Sequence, residues 1–213
     1  MNTDAPVLLE TMRVRAGRIP LLDLHRRRMQ ASAAALGLDF AGLAPVEAGP
    51  DRVLRAALGA GGLTWSERPV GAGDTVSLVV SRTVHEAYRH KTTTRGQFDQ
   101  TLDEARAAGA DDGILLTAAG YVAEASIWTL CWWEGSHLAA PALDLGILPA
   151  VSRARLAQVA GDLHERRVRI EELRGRPLLA ANAVRGVVPV ALLMGQPVPG
   201  HPDTPRLREA FWP

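Results

Sequence analysis

The sequence predicts an α+β (mixed α/β) fold, because strand-like and helix-like segments are interleaved along the chain without a regular βαβ rhythm. Short apolar segments with strand character recur throughout the 213 residues, and five longer segments have the apolar spacing of helices. The hydrophobic share of 47% and the charged share of 22% are ordinary for a globular protein of this length, which can bury a sizeable core.

The individual elements follow from local composition. Segments rich in apolar and β-branched residues predict strands at 7–14, 75–81, 113–117, 121–124, 126–133, 137–140, 167–170, 177–182 and 186–193. Helical spacing predicts helices at 20–37, 50–60, 98–110, 152–163 and 202–211. A Gly- and Pro-rich loop is expected at 68–74.

A compact pattern of helix and strand restarts after the segment "HKTTTRGQF", so we expect a domain joint near residues 85–97. The chain then divides into a small N-terminal domain, 1–90, and a larger C-terminal domain, 91–213. Lys91 lies at this joint.

Charge and cysteine content exclude several classes of function. The net charge is +1 and no basic stripe with interleaved aromatic residues occurs, so we expect no nucleic-acid partner. The single cysteine, Cys131, excludes an internal disulfide and disfavours a structural zinc site. Because the start also lacks a signal-peptide pattern, we expect a cytoplasmic location. The longest apolar segments are about half of the roughly 20 residues that a membrane span needs, so no membrane partner is expected.

Lys91 is the only lysine among 24 basic side chains, the other 23 of which are arginine. Arginine serves salt bridges and phosphate contacts equally well, but it stays protonated and cannot act as an amine nucleophile. A codon bias toward arginine explains the 23 arginines and leaves the exception open. Lys91 is therefore either a nucleophile or a solvated loop residue.

Three further features have both a functional and a purely structural interpretation. Glu124 lies in an otherwise apolar strand segment, where a carboxylate needs a partner if it is buried. In "GILPAVSRARL" (146–156), Ser152 is a candidate N-cap, and the free N–H groups of a helix start there would bind phosphate. His25 and Arg28 share one face of the helix 20–37, and Arg28 could present its guanidinium to a phosphate.

In their order along the chain, these segments resemble the class IV aminotransferase group of pyridoxal-phosphate enzymes, which includes 4-amino-4-deoxychorismate lyase. The resemblance covers most of the chain. Its matching segments are "LLETMRV", "LHRRRMQASAAALG", "HKTTTR", "ADDGILLTAAGYVAEASIWTL", "LGILPAVSRARL" and "LLAANAVRGVVPV". The spacing of 33 residues from Lys91 to Glu124 is also similar to that of the family.

This resemblance implies a fold-type IV enzyme, with a small α/β domain and a larger pseudo-barrel domain that meet at a pyridoxal 5'-phosphate site. Lys91 would form the Schiff base with the cofactor and move the proton, and Glu124 would pair with the pyridine nitrogen. Residues implied at the phosphate are Arg28, the backbone N–H groups of Val151 and Ser152, and Ala183 and Val184. The resemblance also implies a homodimer.

The sequence departs from the family pattern at several positions. Ala150 replaces the usual glycine of the phosphate turn, and Ser152 the usual threonine. Thr129 stands where asparagine is common. Phe98 replaces the usual aromatic hydroxyl after the lysine, which leaves the cofactor's phenolic oxygen without an assigned partner. The family's usual first strand before "ETMR" is absent, and the segment between the helix 20–37 and Lys91 is compressed.

Three functions are compatible with these residues, each with a small amino-substituted acid as ligand. The favoured one is a lyase that converts 4-amino-4-deoxychorismate to 4-aminobenzoate and pyruvate. The second is an aminotransferase for branched-chain or D-amino acids, which is less favoured because the segment "SRTVHEAYRHK" contains no R-x-H carboxylate motif. The third is a cofactor-binding relative without turnover, and the presence of Lys91, Glu124 and Arg28 together argues against it.

Overall fold

A computed structural model describes residues 6–43 and 49–213, which form twelve strands and four α-helices. The strands are β1 (Leu8–Val14), β2 (Arg52–Gly59), β3 (Gly62–Arg68), β4 (Val76–Val84), β5 (Asp112–Leu116), β6 (Val122–Ala125), β7 (Thr129–Glu134), β8 (His137–Pro141), β9 (Leu163–Arg166), β10 (Leu178–Asn182), β11 (Gly186–Leu193) and β12 (Gln196–Pro197). The helices are α1 (Leu22–Leu36), α2 (Gly96–Ala107), α3 (Val151–Ala160) and α4 (Thr204–Ala210).

Strands β1, β2 and β3 form a small antiparallel sheet in that order. One face of this sheet is apolar and packs against α1, where Met12, Met29 and Ala56 are almost fully buried. The alternation along β1 turns Thr11 to the other face, away from this core. The small sheet therefore has one face in its own core and one face available to the rest of the molecule.

The helix predicted at 50–60 is wrong. Residues 52–59 form β2, the central strand of the small sheet, which pairs with β1 on one side and β3 on the other. The apolar residues of this segment fit helical spacing, but Leu54, Ala56 and Leu58 are buried in the core between the sheet and α1, and Val53 is buried on the opposite face, beside the cavity. Cross-strand pairing outweighs a weak helical preference here.

The remaining strands form a nine-stranded sheet in the order β6-β5-β4-β11-β10-β7-β8-β9, with β12 paired to β11. Its strands pair in parallel at β4/β5, β4/β11 and β8/β9, and otherwise antiparallel. Successive residues of β7 enter two different cores, Trp132 on one face and Cys131 on the other. The sheet is thus covered on both faces, and the predicted mixed α/β class is confirmed.

Two further strand predictions are corrected at this sheet. The strand predicted at 167–170 is wrong, because residues 163–166 form β9 and Ile170–Leu173 is a short 3₁₀ helix. Gly161, with φ of 79°, ends α3 early and lets the chain turn into β9 beside β8. Residues 126–128 form a bend before β7 instead of its first residues.

The segment around Lys91 is attached to the edge of the small sheet. The Leu9 N–H donates to the Lys91 carbonyl at 2.7 Å, and the Thr93 N–H donates to the Val7 carbonyl at 2.9 Å. Strand β4 already belongs to the larger sheet, so the change from one sheet to the other falls in the loop 69–75. The domain division at residues 90 and 91 stays a prediction.

Candidate active site

A cavity of about 450 Å³ is lined by residues of both sheets. Its size lies in the range of small-molecule sites. All seven residues predicted to form the site line this cavity: Arg28, Lys91, Glu124, Val151, Ser152, Ala183 and Val184. The fold therefore brings together residues that are separated by more than 150 positions in the sequence, while their individual roles stay predictions.

The backbone around Lys91 is held by Tyr88. The Tyr88 hydroxyl accepts a hydrogen bond from the Thr92 N–H at 2.7 Å and donates to the Thr92 carbonyl at 2.8 Å. The Tyr88 ring packs edge-on against Phe98, with centroids 4.7 Å apart. With the pairing to β1, these contacts fix where the Lys91 side chain leaves the backbone.

Burial lowers the pKa of Lys91 from its ordinary value of 10.5 to about 7. The positive charges of Arg28 and Arg95 act in the same direction, while Glu10 and Glu124 oppose them more weakly. A large fraction of the amine is therefore unprotonated near neutral pH. This is the state in which lysine acts as a nucleophile or a base.

Glu124 faces the cavity with part of its carboxylate. Its Oε1 lies 3.0 Å from His85 Nε2 and accepts the Leu148 N–H at 3.2 Å. Within the described residues, Oε2 has no hydrogen-bond partner. An anchored carboxylate with one open oxygen fits a protonated heteroaromatic nitrogen, as expected from the sequence.

Helix α3 begins at Val151, with Ala150 as N-cap and no side-chain cap. The prediction of Ser152 as N-cap is therefore wrong, because Ser152 lies inside the first turn. Its hydroxyl is 2.8 Å from the Thr129 hydroxyl. The free N–H groups at the helix start and these two hydroxyls make a set of donors that suits a phosphate.

On the other side of this helix start, a turn follows β10. The Asn182 side-chain oxygen accepts the N–H groups of Val184 at 3.0 Å and Arg185 at 2.8 Å. The N–H of Val184 is thus already used within the turn. Ala183 and Val184 line the cavity as the resemblance implies, but the amide of Val184 is engaged by Asn182.

The position of Arg28 is set by Glu10, a residue not selected from the sequence. Arg28 Nε donates to one Glu10 oxygen at 2.8 Å and Nη2 to the other at 2.5 Å, while His25 Nδ1 lies 2.5 Å from the same carboxylate. Burial alone would raise the pKa of Glu10, but Arg28 and His25 together lower it to about 2. Burial also lowers the pKa of His25. Arg28 Nη1 takes no part in these bonds and remains a donor for an anion.

Four other arginines line the cavity and were not selected from the sequence: Arg55, Arg68, Arg95 and Arg185. Arg95 donates to the Ser126 carbonyl at 3.0 Å and lies over the Phe98 ring at 5.1 Å. Among the described residues, the acidic side chains that line the cavity are Glu67 and Glu124. The cavity is therefore lined by more positive than negative side chains and suits anionic ligands.

The comparisons with known proteins agree with this geometry. The family model described as amino-transferase class IV matches residues 62–193, which is more than half of the chain. The chain belongs to the class IV aminotransferases. Members of this family are enzymes that depend on pyridoxal phosphate. No curated protein matches the chain.

Solved structures show the same fold. A protein provisionally assigned as a 4-amino-4-deoxychorismate lyase is 26% identical, with a TM-score of 0.82, and the match covers 99% of this chain and 91% of that one. A provisionally assigned amino-acid aminotransferase from Mesorhizobium loti is 27% identical, with a TM-score of 0.78 and coverage of 88% and 99%. An aminotransferase from Brucella abortus, bound to the cofactor PLP, is 20% identical, with a TM-score of 0.82 and coverage of 99% and 89%. The fold-type IV prediction is confirmed.

None of the helices in the described ranges is long and apolar enough to cross a membrane.

Proposed function

We propose that the chain is a lyase of this family, which converts 4-amino-4-deoxychorismate to 4-aminobenzoate and pyruvate. Lys91 is the catalytic residue and holds the cofactor through its amine. Glu124 pairs with the pyridine nitrogen. The phosphate is held by Arg28 and by the helix start at Val151 and Ser152, with Ala183 beside it.

The side chains present fit pyridoxal phosphate in chemical type. The cavity holds a partly unprotonated amine, a carboxylate with an open oxygen, and a cluster of hydroxyl and N–H donors. When bound, the cofactor supplies an electron sink for the negative charge that develops at the substrate carbon bearing nitrogen.

Once the substrate's own amine has displaced it, the Lys91 amine is free to act as a base on the substrate ring. The lysine amine takes the proton from the ring carbon that bears nitrogen, and the bond between the neighbouring carbon and the ether oxygen breaks. Enolpyruvate leaves with the bonding electrons and gains a proton to become pyruvate, while the ring becomes aromatic. Atoms balance without an oxidant or a second substrate. A pKa of about 7 lets the same amine take up and release this proton at neutral pH.

The positive cavity wall is the observation that carries the choice of the lyase. The proposed substrate has two carboxylates, and four arginines besides Arg28 line the cavity. The relative at 26% identity, provisionally assigned as the same lyase, supports this choice. An amino-acid aminotransferase is the second candidate, since the Mesorhizobium loti protein is similar at 27% identity.

Product analysis separates the two activities. The purified holoenzyme is incubated with 4-amino-4-deoxychorismate in the absence of any keto acid, and pyruvate and 4-aminobenzoate are quantified. We expect both products in equal amounts. Amino-group transfer from an amino acid to 2-oxoglutarate, without pyruvate release from the chorismate amine, would overturn the lyase in favour of the aminotransferase.

The proposal includes a homodimer in the cytoplasm. Cys131 is fully buried, which fits a reducing compartment without requiring one. Sedimentation of the holoenzyme at micromolar concentration measures the assembly directly. A species of 22.8 kDa would contradict the dimer.

A further inference from the structure

Tyr88 lies three residues before Lys91, and its side chain is buried at the cavity wall. Its ring belongs to a small apolar cluster with Phe98, Leu115 and Leu148. Phe98 lies on α2 and Leu115 on β5, so the ring rests on elements of the larger sheet. The backbone of Lys91, by contrast, pairs with β1 of the small sheet. Tyr88 therefore stands where the segment that carries the lysine passes from one sheet to the other.

The Tyr88 hydroxyl is fully used by the protein backbone. A phenol has one proton to donate, and here it goes to the Thr92 carbonyl at 2.8 Å, while the same oxygen accepts the Thr92 N–H at 2.7 Å. Thr92 is buried, so removal of the hydroxyl would take this partner from two buried backbone groups. The hydroxyl thus holds the residue next to Lys91 and has no proton left for a ligand.

A second link leads from Tyr88 to the carboxylate of Glu124. The Tyr88 N–H donates to the Gly146 carbonyl at 2.8 Å, and two residues further along the Leu148 N–H donates to Glu124 Oε1 at 3.2 Å. Gly146 has a φ of 82°, and a side chain there would press against the residue before Tyr88. A short series of hydrogen bonds therefore connects the backbone beside Lys91 with the Glu124 carboxylate.

We propose that Tyr88 is a positioning residue that sets the distance between the Lys91 amine and the Glu124 carboxylate. This inference rests on the proposed function, in which these two groups bind one rigid cofactor ring at the same time. Lys91 and Glu124 belong to different sheets, so their separation depends on a link between the sheets. Because small displacements of reacting groups lower rates strongly, this link affects turnover. Tyr88 acts through Lys91 and Glu124.

The kinetic test uses Tyr88→Phe, which keeps the ring in its cluster and removes only the hydroxyl. We expect kcat for pyruvate release to fall about tenfold or more, with KM changed less than about threefold, because a displaced amine slows proton transfer without weakening substrate binding. Tyr121→Phe is the matched control, since Tyr121 is the other tyrosine of the sequence and its ring packs with Arg169. It should leave both constants unchanged. An unchanged kcat in Tyr88→Phe would overturn the proposal.

A second variant tests the other end of the link. Gly146→Ala leaves the Tyr88 hydroxyl in place but strains the turn that accepts the Tyr88 N–H, because alanine rarely adopts a positive φ. We expect the same fall in kcat with little change in KM. Rates are compared well below the melting temperature of each variant, which thermal melts provide. Lower melting temperatures with wild-type kcat in both variants would show a purely structural role and overturn the proposal.

Attachment of the cofactor separates failure of this inference from failure of the lyase, because it needs no substrate. Pyridoxal phosphate is added to the cofactor-free full chain, the mixture is quenched with borohydride at intervals, and the covalently fixed cofactor is measured by mass. We expect attachment about tenfold slower in Tyr88→Phe than in the wild type, and unchanged in Tyr121→Phe.

Each outcome of the attachment experiment has a distinct meaning. If the wild type attaches the cofactor but releases no pyruvate, the lyase fails, and slow attachment in Tyr88→Phe still supports the positioning role. Equal rates in the wild type and Tyr88→Phe, or equal slowing in both tyrosine variants, would overturn that role. No attachment in the wild type would overturn it together with the role of Lys91.

Discussion

The two walls of the cavity are built differently. On the larger sheet, the polar groups are already paired: Thr129 with Ser152, Asn182 with the turn at Val184, and Glu124 with His85. On the small sheet, Arg55 projects from the central strand without a partner in the described residues. Polar groups that are held in place by hydrogen bonds suit a permanently bound group such as a cofactor. Charged side chains without a partner suit a substrate that binds and dissociates in each turnover.

The largest effect that tests this difference is expected at Lys91. In Lys91→Arg the positive charge is kept but the amine is lost, so pyruvate release should fall by about 10³-fold or more, since guanidinium cannot lose its proton. Initial rates at saturating substrate measure the loss. Borohydride should fix the cofactor to the wild type and not to this variant. Activity within tenfold of the wild type would show that Lys91 is not the catalytic amine.

Glu10 is the exception on the small-sheet side, because it is buried and fully paired. Glu10→Gln should lower the free energy of unfolding by about 3 kcal/mol, since Arg28 loses its buried counter-ion. Urea unfolding at pH 7 measures this change. Glu67→Gln removes an exposed ion pair to Arg52 and should cost less than about 1 kcal/mol. Equal losses in both variants would contradict the distinction between a buried network and an open surface.

The lowered pKa of Lys91 predicts a pH dependence of stability in the cofactor-free protein. The folded-state pKa of about 7 lies below the ordinary value of 10.5, so the unfolded chain binds more protons between these values. The free energy of unfolding of the wild type therefore increases, through Lys91, as the pH rises from 7 toward 10.5. Lys91→Met should be more stable than the wild type by about 2 kcal/mol at pH 7, because the variant no longer buries a charged amine. Solvent in the open cavity keeps this difference below the value that the whole pKa shift would imply.

The difference between Lys91→Met and the wild type should shrink as the pH approaches 10. Thermal melts at pH 7, 8.5 and 10 measure it. A constant difference across this range would mean that the amine is as well solvated in the folded protein as in the unfolded chain.

The smallest effect is expected on the larger-sheet wall, where single donors act in a group. Thr129→Val removes one hydroxyl and leaves the Ser152 hydroxyl without its neighbour, which should weaken cofactor binding about fivefold, or about 1 kcal/mol. Spectroscopic titration with pyridoxal phosphate gives the Kd. Thr64→Val, on the exposed β3, serves as the matched control. A stronger effect in the control would exclude Thr129 from the phosphate site.

The larger-sheet wall could be predicted from sequence and the small-sheet wall largely could not. On the larger-sheet wall, Glu124 stands out as an acid in an apolar strand, whereas Lys91, at the edge of the small sheet, stands out by composition. By contrast, Arg55 is one of 23 arginines, and its segment fits helical spacing until β1 and β3 pair with it. Arg55 faces the cavity because of the register in which β2 pairs with β1 and β3, and this register cannot be predicted from the local sequence.

Glu10 illustrates a second limit of prediction from the sequence. An acid in the apolar segment "LLETMRV" was visible, but its partners are 15 and 18 positions away on α1. Helical spacing correctly put His25 and Arg28 on one face, yet the strand facing them is set by tertiary packing. Similarly, Ser152 has the preferred residue type for an N-cap, but α3 begins one residue earlier at Val151.

The burial of Cys131 has a practical consequence. Burial raises the pKa of this thiol to about 12, and it is the only thiol in the sequence. Thiol-directed reagents will therefore leave the folded wild-type protein unmodified. In Ala72→Cys, at the exposed rim of the cavity, one introduced thiol would carry a single fluorophore or spin label, so that ligand entry can be followed without replacing the native cysteine.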